Sequence, residues 1–150
     1  RGGWTETVAQ LHLLRGLFTL TLYRHGLKFA HSAAEREIFS RCIQDKSRHL
    51  AYALDHLRYA INQQEDQGLI LEQVLAIGEG VFVRELADPV LREALAIVFA
   101  GGIKGAARKG MRQVDRLLGD YVREYAAICT WLGLGRGQAL VPGLAQYADK

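Results

Sequence analysis

A helix drawn over residues 5–29 has almost no side that water would accept. With residues placed about 100° apart, Trp4, Val8, Leu11, Phe18, Leu22 and Phe29 form one apolar stripe, and Leu13, Leu17, Leu20 and Leu27 lie on the far side. A helix of this kind must be covered from two directions. It therefore belongs in the interior of a bundle, with further long helices around it. Its one polar line is His12, Arg15, Thr19 and Tyr23, at i, i+3, i+7 and i+11.

The rest of the sequence supplies those helices. Ser32, followed three residues later by Glu35, is a capping-box start for a second helix over residues 33–62, whose apolar stripe is Phe39, Ile43, Leu50, Leu54, Leu57 and Ile61. The polar string NQQEDQG leads into a third helix over residues 69–87. Asp88 followed by Pro89 reads as an N-cap with proline at the first helical position, so a fourth helix starts there and carries Leu91, Leu95, Val98 and Phe99. Gly101, Gly102 and Gly105 each weaken a helix by about 1 kcal/mol relative to alanine, which predicts a kink, a close crossing or a break. A fifth helix spans residues 111–132, and the glycine-rich tail, 133–150, reads as an irregular strap. No segment alternates with period two. The fold class is all-α, with about five antiparallel helices in a single domain over residues 1–150.

Composition sets further bounds. The 150 residues suffice for one domain with a core, and 49% hydrophobic with 23% charged residues excludes a disordered chain. The formal charge of +3 reads as spread along the sequence with no recognition motif, so a nucleic acid is not expected as a partner. The basic run Lys104, Arg108, Lys109 and Arg112 reads as a solvated helix face, with phosphate binding as its alternative. GLGRG lacks the preceding strand that a dinucleotide fingerprint needs. Cys42 and Cys129 have no CxxC spacing and fall in apolar helical segments, which predicts reduced core thiols and a cytoplasmic setting. Charges at Arg15, Glu72, Arg92 and Glu93 interrupt the best apolar runs, so neither membrane insertion nor a secretory signal is expected.

The string QDKSRH, residues 44–49, places a lysine in the middle of the second helix's apolar stripe. Asp45 and His49 flank Lys46 on the same side, and His56 continues the edge. Asp45-Lys46-Ser47-Arg48-His49 resembles the D-E-x-R-H signature of ferritin-like diiron proteins, in which Glu-x-x-His pairs are completed by a lone glutamate on the preceding antiparallel helix. His12, 37 residues before His49, stands where that lone glutamate would be. The later segments ADPVLREALAIVFAGG and YVREYAAICTWLGL are similar to the C-terminal half of larger ferritin-like oxygenases. The resemblance implies a ferritin-like bundle with a site between the first two helices. Of the family's ligands it leaves only His49, with Asp45 and Arg48 at the positions that support ligands; a rebuilt site would take His12, Asp45 and His49 as ligands for iron or manganese, with Lys46 and Tyr23 as catalytic candidates, Arg15 and Glu79 in support and Arg48 orienting Asp45.

The departures from that pattern shape the expected function. Lys46 stands at the bridging glutamate, and an ammonium has no lone pair for a metal. A register shift of 55 puts Gly101 opposite Lys46 and Lys104 opposite His49, so a second half-site is absent. A buried ammonium needs an anion, and Glu79 or Glu85 is the expected partner, the ion pair standing in for the lost metal. A rotation of the helix by about 40° would instead put Lys46 at the edge with its ammonium in water. The principal reading is a ferritin-like domain related to diiron oxidoreductases whose metal site is degenerate or lost. An active oxidoreductase with a site rebuilt from His12, Asp45 and His49 is the alternative, and a non-catalytic assembly or binding module is a third. Helical segments that precede the corresponding position in full family members do not precede Thr5, so apolar faces remain to be covered and a homodimer is expected.

Overall fold

The computed structural model describes residues 3–148, so residues 1, 2, 149 and 150 of the expected domain lie outside the described residues. Helix α1, residues 4–29, is α-helical over Trp4–Val8, π-helical over Ala9–Gly16 and α-helical again over Leu17–Phe29. Helix α2 is Ala33–Gln63, α3 is Gln67–Leu86 and α4 is Pro89–Ala100. Helix α5, residues 103–131, passes through a π-helical stretch at Ala106–Gly110. The strap holds a 3-10 turn, Gly135–Gly137, and a short helix α6, Pro142–Ala145. There is no strand among the described residues.

Local chemistry sets the boundaries. The Ser32 hydroxyl accepts from the Glu35 amide at 3.1 Å and the Glu35 carboxylate accepts from the Ser32 amide at 3.0 Å, which closes the capping box. Asp88 accepts from the Val90 amide at 2.8 Å, with Pro89 in the first turn. Helix α4 ends where Gly101 takes a left-handed φ of 72° and Gly102 a φ of 138°, which side chains other than hydrogen rarely allow. Beyond that break the π-helical stretch ends at Gly110, where an added Cβ would run into the backbone of Ala96. The glycine-rich segment thus holds both a break and a close helix crossing.

Helix α1 is central and packs against α2 on one side and against α3, α4 and α5 elsewhere. Leu13, Leu14, Leu17 and Leu20 are buried on it, and Phe18 meets Phe82 of α3 and Tyr121 of α5 edge to face. The wheel fails at Leu11 and Trp4, which are exposed. A π segment closes i→i+5 turns, so residues within and beyond it rotate away from a lattice drawn with 3.6 residues per turn. Helix α2 is also rotated from its expected face. Its buried line runs through Leu50, Ala53, Leu57 and Ala60, while Phe39, Ile43, Leu54 and Ile61 are half-buried. No helix among the described residues is long and apolar enough to cross a membrane.

Candidate functional site

The α1/α2 interface brings together part of the predicted set. His12, inside the π segment, and His49 of α2 lie with ring centroids 5.8 Å apart. Lys46, one turn before His49, is half-buried beside them. The His12 pKa is held below its ordinary value, first by burial and then by the neighbouring His49 and Lys46. Asp45 Oδ2 is 3.6 Å from His49 Nδ1 along the outer, exposed side of α2. The site therefore collects two imidazoles and an ammonium, with one carboxylate at its rim.

Other members of the predicted set have different partners. The expected partners of Lys46 are both taken. Glu85 receives a two-pronged bond from Arg15, at 2.6 and 2.7 Å, and Glu79 is enclosed by Arg136 and Tyr125. Lys46 makes no ion pair among the described residues. Lys46 is in phase with the buried line of α2, one turn before Leu50, but no residue of the helix before Leu50 is fully buried, and there the long stem can carry the ammonium to water. Arg15 is likewise committed to Glu85 and to the face of Phe82, with its guanidinium carbon 5.5 Å from the ring centre. Arg48 is exposed and makes no hydrogen bond to Asp45 among the described residues. Tyr23 packs near Phe39 with centroids 6.2 Å apart. It lies about 16 Å along α1 from His12, too far to share the site.

These residues do not fit the metal centre that the sequence resemblance implies. Lys46 offers no lone pair, and Asp45 points along the outer surface of α2. Among the described residues no three His, Cys, Asp or Glu side chains converge as a metal cradle.

A second polar centre lies inside the bundle, between α3, α5 and the strap. Glu79 has no exposed surface. Its Oε1 accepts from Arg136 Nε at 3.0 Å and from the Tyr125 hydroxyl at 2.9 Å, and its Oε2 accepts from the Val141 amide at 3.1 Å and from Arg136 Nη2. Burial pushes the Tyr125 hydroxyl pKa far up, and burial together with the nearby Glu79 charge pushes the Cys129 thiol up to about 12, against a lowering hydrogen bond with Tyr125. Both cysteines are free, Cys129 buried and Cys42 half-buried. Every lone-pair direction of Glu79 is engaged, so this centre is a fastening and not a reactive site. A lone glutamate between Gly78 and Gly80 in an otherwise apolar run was the available signal for it.

No protein-family model, curated protein or solved structure matches the chain.

Proposed function

We propose that this chain is a ferritin-like bundle in which metal chemistry has given way to assembly, so that it works as a dimerising helical module. The α1/α2 pairing that brings His12 against His49 supports the ferritin-like reading, and the substitution of Lys46 for a ligand supports loss of the metal. The observation that carries the assembly reading is α3, which is apolar on both faces. Leu71, Leu75, Phe82 and Leu86 are buried inward, while Ile70, Ile77 and Val81 are exposed outward, Ile77 at 68%. With half-buried Val74 they form a stripe at i, i+4, i+7 and i+11, and exposed Leu11 of α1 borders it beside Val74.

A second copy suits this face. In an antiparallel two-fold pairing of α3, Ile70 would lie opposite Val81 and Val74 opposite Ile77, and exposed Asp66 would come beside exposed Arg84. Neither Asp66 nor Arg84 makes an ion pair within the described residues, which leaves both charges for such a contact. Native mass measured across a micromolar concentration series tests the reading. The chain should sediment as a dimer and Ile77→Glu as a folded monomer; a wild type that stays monomeric throughout would overturn it.

A further inference from the structure

The cations of this chain are distributed unevenly. Arg15, Arg24, Arg41, Arg92, Arg123 and Arg136 each pair with a carboxylate. Lys104, Arg108, Lys109, Arg112 and Arg116 pair with none among the described residues. Residues 104–116 hold those five cations and a single carboxylate, Asp115, which is bonded to Arg92 at 3.1 Å. That stretch nets +4 where the whole chain nets +3, so the remainder of the molecule is net −1. The net positive charge that reads as spread along the sequence is carried by this one stretch of α5.

Such a stripe opposes its own helix. Lys104, Arg108, Arg112 and Arg116 recur at i, i+4, i+8 and i+12, and like charges four apart repel. They also lie in the N-terminal half of α5, the end at which the helix dipole disfavours cations, and no acidic residue in its first turn offsets them. A counter-charge from outside would relieve both penalties. The stripe lines an open groove of about 460 Å³.

We infer that this face binds the phosphate backbone of a nucleic-acid duplex, without regard to sequence. The four-residue repeat advances about 6 Å per step and about 18 Å in all. Successive phosphates on one strand of a duplex advance about 3.4 Å along the axis, so a row of about 18 Å is long enough to meet several of them where the backbone winds past. Arginine's planar fork suits phosphate oxygens. Apart from glycine, every residue lining the groove is charged or polar. Exposed Ile103 borders a separate groove with Ala107 and Met111 against α4, which leaves the stripe no apolar anchor of the kind a bilayer surface uses. No aromatic side chain lines the stripe either, so there is no platform for stacking unpaired bases.

The test is fluorescence anisotropy of a labelled DNA duplex of arbitrary sequence, titrated with the intact chain over a range of salt concentrations. Five phosphate contacts give a slope of log K against log salt of about −4.5, and Arg112→Gln should reduce its magnitude by about 0.9. The triple variant Lys104→Gln, Arg108→Gln, Arg112→Gln should lose binding at low salt while keeping the wild-type circular dichroism spectrum. Arg41→Gln, on α2 and outside the stripe, should bind as the wild type does. Absence of duplex binding at low salt overturns the inference. So does binding that the stripe variants leave unchanged, and so does stripe-dependent binding to phosphatidylserine vesicles with none to the duplex. The stripe is on α5 and the proposed dimer face on α3, so Ile77→Glu, read in both experiments, separates failure of one from failure of the other.

Discussion

Glu79 and Lys46 are both ionisable side chains set among apolar residues of long helices, yet their surroundings differ. Glu79 is enclosed on α3 and receives hydrogen bonds from α5 and from the strap. Lys46 is half-buried beside two histidines, and among the described residues no carboxylate pairs with its ammonium. A charge that a fold depends on is buried and fully hydrogen-bonded, because the cost of desolvation demands it. A charge that the fold merely tolerates sits where water still reaches it. The difference teaches that the polar centre holding this bundle together is the one that the signature-like segment does not mark.

The largest effect should come from Arg136→Met, which strands the buried Glu79 carboxylate and frees the strap. Urea unfolding should show a loss of about 3–5 kcal/mol, with proteolysis starting in the strap. A loss below about 1 kcal/mol would erase the distinction between the two centres. Tyr125→Phe removes one hydrogen bond to the same carboxylate and should cost about 2 kcal/mol by the same measurement. Lys46→Met should stay within about 0.5 kcal/mol of the wild type, because no partner is left behind. A deficit of several kcal/mol there would reveal a paired ammonium and make the two centres alike.

The smallest effect is a pH dependence at His12. Its folded pKa is depressed by burial and by its His49 and Lys46 neighbours, so the unfolded chain takes up the proton first as pH falls. Its contribution to stability is therefore present above the ordinary histidine pKa near 6.5 and is lost as pH falls through the folded value. Between about pH 7.5 and 5 the wild type should lose more stability than His12→Gln, read from urea midpoints. Equal losses would mean that neither burial nor the two neighbours depresses the His12 pKa.

What could be read from the residues was mostly local or periodic. Ser32 with Glu35 and Asp88 with Pro89 mark helix starts through bonds spanning two or three residues, and both are formed. The 37-residue spacing of His12 and His49 was enough to bring two antiparallel helices into register at that point. The phase of α2 was not legible, because Lys46 fills a place in its apolar stripe that only packing against α1 could arbitrate. Neither was the π segment of α1, whose register answers to neighbours such as Tyr121, which donates to the Leu14 carbonyl at 3.0 Å. The link between Glu79 on α3 and Arg136 in the glycine-rich strap joins positions 57 residues apart, and no periodicity carries that information.

The proposed loss of a ferritin-like metal site is tested most directly by metal content. The chain, purified without chelator, is incubated anaerobically with Fe(II) or Mn(II), freed of unbound ions by gel filtration and assayed for metal per chain, beside Lys46→Glu. The wild type should retain almost none, and Lys46→Glu, which sets a carboxylate beside two imidazoles, should gain binding that His49→Ala removes. One ion or more held by each wild-type chain, and lost in His49→Ala, would contradict the account.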